Sequence, residues 1–315
     1  MEPGAIRTLR ARLTRWYHRV KRELPWRRTR DPYAIWISEI MLQQTRVAAV
    51  IPYYERFLKA FPDPTSLARA KETKLLAMWS GLGYYSRARN LQKAAARIVA
   101  AGGFPRDHRA LLQLPGVGEY TAAAIASIAF DLPHAVVDGN VRRVIARLTN
   151  SANADAQAWA DRLLDRGAPG RWNQAMMELG AIVCLPRAPL CGECPIAAHC
   201  LAKRAGTQEE LPPKKIKREP ERLARTLLLI ERRGRILLTP SQRVPGFWDL
   251  PEPFPGARIQ APLGEFTHII THRRYRFTVY AARVKDIPKH CRWSSESLPV
   301  STIASKALRI AYNAR

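Results

Sequence analysis

A glycine-rich turn followed by a helix-capping aspartate constrains the fold of this chain most strongly. Leu114-Pro-Gly-Val-Gly118 predicts a tight turn between two helices, in which Gly116 and Gly118 allow positive φ and a close approach of the backbone. Such a turn exposes amide N–H groups at the start of the next helix, where a phosphate can bind. Asp138 follows an apolar helical segment at residues 121–130 and precedes another, which is typical of an N-cap.

The charge of the chain indicates a polyanionic partner. Its 315 residues include 52 Lys and Arg against 26 Asp and Glu, a net charge of +26. Such an excess favours nucleic acid first and an anionic membrane surface second. No segment is apolar over the length needed to span a membrane, and the chain is long enough for two domains. The Arg-rich residues 1–20 resemble a transit peptide, but their helical apolar spacing favours a first helix in the core.

Helical patterns continue to about residue 200, with predicted breaks at prolines such as Pro52 and at glycine pairs. One predicted helix extends from Tyr33 to about Val50 and carries Glu39 among dense apolar positions. Burial without a partner raises the pKa of a carboxyl group. The residues alone leave two interpretations open: Glu39 pairs with an arginine, or it is a protonated acid able to donate.

Six motifs resemble those of the MutY family of adenine DNA glycosylases, within the helix-hairpin-helix superfamily, and follow the family order over about residues 6–204. The motifs are Leu24-Pro-Trp26, Trp36-Ile-Ser-Glu-Ile-Met-Leu-Gln-Gln-Thr45, Gly81-Leu-Gly-Tyr-Tyr-Ser-Arg-Ala-Arg-Asn90, Leu114-Pro-Gly-Val-Gly-Glu-Tyr-Thr121, Val137-Asp-Gly-Asn-Val-Arg-Arg143 and Asn173-Gln-Ala-Met-Met-Glu-Leu-Gly180. The resemblance implies a mainly α helix-hairpin-helix domain at residues 1–205, a linker at 206–221 and a smaller α/β Nudix-like domain at 222–315.

The resemblance also implies catalytic roles: Glu39 as the general acid, Asp138 as the carboxylate at the sugar, and Tyr120 assisting there. Breaking an N-glycosidic bond needs a proton on the leaving base and a negative group beside the sugar, which two differently tuned carboxyl groups supply. Relatives that also cleave the strand carry a Lys at the position of Tyr120. Without that amine no Schiff base forms there, so base removal alone is expected.

Further contacts follow from the resemblance. Gln44 and Tyr84 would fill the gap left by the flipped base. Without the resemblance, Gln44 would be a helix-surface residue and Tyr84 an ordinary core residue. The other implied DNA-binding residues are Gly116, Gly118 and Asn140, and the base pocket would include Trp26 and Glu178.

Four cysteines lie within 17 residues in the pattern Cys184-x6-Cys191-x2-Cys194-x5-Cys200, which indicates a metal centre. The spacing resembles the [4Fe–4S] loop of the endonuclease III and MutY families. Zinc is the alternative, although zinc sites usually combine two Cys-x2-Cys pairs and this chain has one.

Beyond the linker the pattern changes to strands. Residues 226–231 and 236–238 around Gly234 predict a hairpin, and residues 275–284 a later strand. Phe247-Trp-Asp-Leu-Pro251 resembles a Nudix segment, but the Nudix catalytic box is absent, so recognition without hydrolysis is expected. In the MutY family a Phe-Ser-His loop here reads 8-oxoguanine. This chain has Ile270 in place of Phe, followed by Thr271, which keeps the hydroxyl group, and His272.

The resemblance therefore implies an intracellular, monomeric glycosylase that removes adenine opposite 8-oxoguanine or guanine in double-stranded DNA, with no membrane partner. One alternative is a thymine-mismatch glycosylase, which usually lacks the C-terminal domain. The other is a catalytically silent DNA-binding protein, which the presence of both Glu39 and Asp138 disfavours.

Overall fold

The chain folds into two compact units that do not follow the order of the sequence. The computed structural model describes residues 1–213, 219–270, 272–294 and 298–313. The first unit comprises residues 1–69 and 90–216, and the second comprises residues 70–89 and 217–315. Residues 70–89 therefore group with the C-terminal residues, although they lie within the glycosylase domain predicted from the sequence. Within the described ranges, no helix has both the length and the apolar character needed to cross a membrane.

The secondary structure up to residue 205 consists of helices joined by turns and loops, and several of the helices begin at a capping aspartate. In chain order the helices are α1 (Pro3–Val20), α2 (Pro32–Leu42), α3 (Val47–Ala60), α4 (Pro64–Ala68), α5 (Glu72–Trp79), α6 (Ser86–Ala100), α7 (His108–Leu112), α8 (Glu119–Phe130), α9 (Gly139–Leu148), α10 (Ala156–Leu163), α11 (Pro169–Ile182) and α12 (Leu201–Ala205), with 3₁₀ turns at Pro25–Arg27 and Ala197–His199. Side chains of Asp31, Asp63, Asp107, Asp138 and Asp155 accept hydrogen bonds from backbone N–H groups of the helices that follow them.

Helices α1, α9, α10 and α11 pack around one apolar core. Leu9 and Leu13 of α1, Ile145 of α9 and Leu179 of α11 are completely buried in it. The predicted first helix is therefore confirmed as part of the core. Its last apolar residue, Val20, is exposed.

Two predictions about the helices are wrong. The helix predicted from Tyr33 to about Val50 is two helices, α2 and α3, because the chain turns after Leu42 and Gln44 adopts a φ of +57°. Pro52 lies inside α3 and does not break it. Buried side chains on both sides of Pro52 in the sequence, Val50 before it and Tyr54 after it, hold this helix against the core.

The described strands of the second unit form two sheets. The strands are β1 (Glu221–Leu229), β2 (Glu231–Arg232), β3 (Arg235–Pro240), β4 (Trp248–Asp249), β5 (Ala257–Ile270), β6 (Arg273–Val284) and β7 (Arg292–Trp293), and a helix, α13 (Thr302–Asn313), follows them. The larger sheet has the order β1-β6-β5, in which β6 is parallel to β1 and antiparallel to β5. In the smaller sheet β3 pairs with β2, β4 and β7.

The predicted turn at Gly234 is confirmed, since Gly234 has a φ of +70° and connects β2 to β3. The predicted hairpin is shorter than expected, because most of residues 226–231 belong to β1, which pairs with β6. Buried Ile303, Ala307 and Ala311 of α13 pack against the larger sheet at one of its faces.

Candidate active site

Glu39 lies on a helix that is buried almost all round. Nine of the 11 residues of α2 are buried, and Glu39 is 5% exposed among them. A helix that is apolar on every side belongs inside the protein, so its one carboxyl group is removed from water with it. The burial predicted for Glu39 is confirmed.

Tyr120 supplies the hydrogen bond to this carboxyl group. Its hydroxyl, on the first turn of α8, donates to Glu39 Oε2 over 2.6 Å and also lies 3.6 Å from Met177 Sδ. Burial raises the pKa of Glu39 to about 7; the Tyr120 hydrogen bond and the charge of Arg27 oppose this rise, and the nearby Asp138 adds to it. The carboxyl group therefore holds a proton into the neutral range. Burial together with Glu39 holds the pKa of Tyr120 well above its usual value, so Tyr120 remains a donor.

Asp138 has the opposite kind of environment, because it receives hydrogen bonds at a helix N-terminus. Its Oδ1 accepts from the backbone N–H of Val141 over 2.7 Å, which confirms the predicted N-cap of α9. Its Oδ2 accepts from Asn140 Nδ2 over 2.9 Å. Both oxygens are held by donors, which fixes the orientation of the carboxylate.

A chain of hydrogen bonds connects Asp138 to the cysteine segment. Asn140 Oδ1 accepts from Arg143 Nη2 over 2.9 Å, and Arg143 Nε donates to the backbone oxygen of Cys184 over 2.8 Å. Gly180 is required beside this chain, since a Cβ at that position would lie 2.5 Å from the Cβ of Asn140. Asn140 therefore positions the carboxylate, a role that the sequence prediction described only as DNA binding.

One cavity of about 250 Å³ brings the predicted catalytic and base-pocket residues together. Glu39, Tyr120, Asp138, Trp26 and Glu178 all line it. Its other lining residues include Ile35, Ile128, Asn140 and Met177. Apolar walls with a few polar groups suit a planar heterocyclic base.

Glu178 is bound by two arginines that the sequence prediction missed. Its carboxylate accepts from Arg22 Nη2 over 2.7 Å and from Arg27 Nη2 over 2.8 Å. Burial alone would raise the pKa of Glu178, but the hydrogen bonds from both arginines outweigh it and lower that pKa to about 2. No local signal distinguishes these two arginines, since they lie in a stretch already rich in Arg.

The predicted turn lies between α7 and α8. Gly116 has a φ of +78°, and a Cβ there would lie 2.8 Å from the Cβ of Asn90, so both its conformation and its packing require glycine. Gly118, which also permits a positive φ, is extended instead, with φ −97° and ψ −180°. The space around Gly118 is open, and neither glycine donates a backbone hydrogen bond to a described residue. Their N–H groups are therefore available to a phosphate.

Both predicted wedge residues have a left-handed backbone, which is rare for side chains of their size. Gln44 has a φ of +57° and lines an opening shared with Glu39 and Asp138. Tyr84, in the second unit, has a φ of +47° and is 52% exposed. Such strain persists where the surroundings fix it, and it is common at functional sites.

The four cysteines surround one cavity together with the buried Arg147. Arg147 Nη1 lies 3.3 Å from Cys184 Sγ, and its other donors bind backbone oxygens. No described carboxylate pairs with this arginine, which is 2% exposed. A buried cation needs a counter-charge, and thiolates bound to a metal centre supply it.

All four thiols line this one cavity, so the fold brings the predicted ligands Cys184, Cys191, Cys194 and Cys200 together. Four cysteines at one place suit either metal centre that the sequence left open, a zinc ion or a four-iron cluster. Within the described ranges, no three Cys, His, Asp or Glu side chains are already placed to hold a single metal ion.

The turn between β5 and β6 carries one of the two predicted lesion-reading residues. His272 is exposed there, and Thr271 lies outside the described residues. Ile270, which replaces the family phenylalanine, packs inward against the core of the second unit, whereas the neighbouring Ile269 is 55% exposed.

Comparison with known proteins identifies two segments of the chain. Residues 37–169 match the family described as HhH-GPD superfamily base excision DNA repair protein, and residues 184–200 match the iron–sulfur binding domain of endonuclease III. The second match selects the iron–sulfur cluster over zinc, so the cysteine segment is a [4Fe–4S] site.

The chain is 46% identical over 225 residues to the adenine DNA glycosylase of Homo sapiens and 40% identical over 253 residues to that of Arabidopsis thaliana. These alignments cover 65% and 67% of this chain but only 41% and 40% of the relatives, so the chain spans about two fifths of their length. A solved thermostable thymine-DNA glycosylase is 30% identical with a TM-score of 0.60; the match covers 64% of this chain and 98% of that one.

Proposed function

Because the chain belongs to the helix-hairpin-helix superfamily of base excision DNA repair proteins, we propose that it removes adenine from duplex DNA by hydrolysing the N-glycosidic bond. The observation that carries this proposal is the pair of carboxyl groups in one cavity. Burial raises the pKa of Glu39 to about 7, whereas Asp138 is held by hydrogen-bond donors at a helix N-terminus. The identity to adenine DNA glycosylases supports adenine as the base.

The geometry suggests how the bond breaks. Glu39 donates its proton to a ring nitrogen of the adenine, which departs with the electron pair of the carbon–nitrogen bond. Asp138 stabilises the positive charge that develops on the sugar. Water adds to that carbon and releases a proton, which returns Glu39 to its acid form. Tyr120 holds Glu39 in place and, lacking an amine, forms no Schiff base. Base removal without coupled strand cleavage follows.

We propose 8-oxoguanine, or guanine, as the base opposite the adenine. The support is the position of His272 at the turn between two long strands, β5 and β6, where an exposed group can reach a base edge. Thr271 lies outside the described residues and remains part of the prediction. The [4Fe–4S] cluster would stabilise residues 184–200 and take no part in the glycosidic step.

Single-turnover base release from three duplexes tests the proposal: adenine opposite 8-oxoguanine, adenine opposite guanine, and thymine opposite guanine. We expect adenine release from the first two, and loss of release in Glu39→Gln and Asp138→Asn with duplex binding retained. Release of thymine alone would establish the thymine-mismatch alternative. Binding without any base release would establish a silent DNA-binding protein. Borohydride treatment should trap no covalent complex, and a trapped complex would refute the monofunctional mechanism.

A further inference from the structure

The larger sheet of the second unit has a second face that carries exposed side chains. Along β6, buried Tyr275 and Phe277 alternate with exposed Arg274 and Arg276, so the two sets point to opposite faces. We call the exposed side the outer face. Its residues are Arg222, Ala224 and Thr226 of β1, Arg274, Arg276 and Thr278 of β6, and Glu265, Thr267 and Ile269 of β5.

The strand register places three arginines of the outer face in two adjacent rows. Arg222 lies directly opposite Arg274, and Ile269 lies on the other side of Arg274. Arg276 occupies the next row, about 7 Å along the strand, beside Thr267. Like charges placed directly opposite each other destabilise a sheet. The Arg222–Arg274 pair therefore weakens the fold unless an anion lies over it.

The arginines of the outer face differ from a neighbouring arginine of the sheet, whose charge is paired with a carboxylate. Arg273, next in sequence to Arg274, forms an ion pair with Glu221 over 2.9 Å. No described carboxylate lies within ion-pair distance of Arg222, Arg274 or Arg276. The outer-face acid, Glu265, is two rows from Arg274 and accepts a hydrogen bond from Thr278.

We propose that the outer face binds the phosphate backbone of DNA. This inference rests on DNA being the partner proposed above. Guanidinium groups form paired hydrogen bonds with phosphate oxygens, and three of them in adjacent rows match a run of phosphates. The exposed Ile269 and Thr267 add an apolar contact for sugars and a hydroxyl donor. The contact is independent of base sequence, because phosphates carry no sequence information.

Salt dependence of binding tests the proposal with the full-length, cluster-loaded protein and an undamaged DNA duplex. The test variant combines Arg222→Gln, Arg274→Gln and Arg276→Gln. Each lost phosphate contact reduces the slope of log K against log salt by about 0.9, so the slope should become shallower by about 2 to 3. Fluorescence anisotropy of a labelled duplex at several salt concentrations measures it.

A matched control separates the outer face from net charge. Arg225→Gln, Arg273→Gln and Arg283→Gln remove the same charge from β1 and β6, at positions that alternate with the outer-face residues. The control should keep the original slope. An equal change in both variants, or no change in the test variant, would overturn the proposal. The proposal would also be overturned if the test variant bound DNA normally but no longer bound phosphatidylserine vesicles, because the outer face would then bind a membrane surface.

Base release at saturating protein keeps this test separate from the proposed function. The outer-face variant should retain the single-turnover rate of adenine release, because its arginines lie on the second unit and outside the site around Glu39. A protein that releases no adenine but shows the shallower slope would contradict the glycosylase proposal and leave the outer face supported.

Discussion

The charge of Glu39 should make the folded protein less stable as pH rises, by an amount that follows from its environment. Burial raises the pKa of this carboxyl group from 4.5 to about 7, although the hydrogen bond from Tyr120 and the charge of Arg27 oppose the rise. The folded state therefore holds a proton in a range where the unfolded chain has released it. The stability that the protonated carboxyl group contributes is fully present below its pKa in the unfolded chain. It is lost as the pH rises through its pKa in the folded protein. At about 1.4 kcal/mol for each pH unit, the total loss is about 3 kcal/mol.

Replacing Glu39 with Gln should remove this pH dependence. The amide is neutral at every pH, has nearly the same size, and can accept the hydrogen bond from Tyr120. When the pH is raised from about 5 to about 8.5, the free energy of unfolding of the variant should therefore increase by about 2 to 3 kcal/mol relative to that of the parent protein. Urea unfolding followed by tryptophan fluorescence measures both proteins. The variant should also lose base release, so stability and activity should change in opposite directions.

Glu178→Gln provides a control in the same cavity. The arginine hydrogen bonds hold the pKa of Glu178 at about 2 against the effect of burial, so Glu178 is ionised in both folded and unfolded states over this pH range. Its replacement should destabilise the fold by an amount that hardly changes with pH. If the Glu39→Gln difference were equally independent of pH, or moved in favour of the parent protein, the raised pKa of Glu39 would be refuted.

Three further predictions concern residues of the first unit. The single-turnover rate should fall above about pH 7, because Glu39 must be protonated to donate. In Tyr120→Phe this fall should move to higher pH, since the hydrogen bond that lowers the pKa of Glu39 is removed. A profile of rate against pH measures both effects. Gly116→Ala should destabilise the fold by about 1–2 kcal/mol from its positive φ alone, whereas Gly118→Ala, with extended backbone and open space, should fold normally, as thermal unfolding would show. Arg147→Met should reduce the visible absorbance of the cluster and the bound iron per chain, because it removes the buried cation beside Cys184; full iron content in that variant would contradict this role.

Local features of the site could be predicted because local physics decides them. Asp138 precedes an amphipathic run, and a short acidic side chain there caps the free N–H groups of α9, as the structure confirms. Glu39 lies among apolar residues on a helix with no polar face, so its burial follows from the sequence. Gly116 was predicted for its conformation, but the sequence could not show that Asn90 lies against it.

Features that depend on distant residues could not be predicted. Glu178 pairs with Arg22 and Arg27, about 150 residues earlier, and nothing in the local pattern selects those arginines from their neighbours. The same limit applies to β1, whose partner is β6 and not the following segment, because strand pairing is decided by burial of a whole face. The break after Leu42 was missed because Gln carries no turn signal.

The conformation of Tyr84 shows how the C-terminal residues contribute to the proposed wedge. A tyrosine at a φ of +47° is strained, and such strain persists only where neighbouring contacts fix the backbone. The next residue, Tyr85, is buried, and its ring lies 4.0 Å from that of Phe247. Arg89 donates to the backbone oxygen of Pro245, which ties the same loop at a second point. The sequence assigns Tyr84 to a glycosylase domain and Phe247 to a recognition domain, but the contacts hold both in one unit. The C-terminal residues therefore help to fix the backbone that presents Tyr84, in addition to any contact they make with the opposite base.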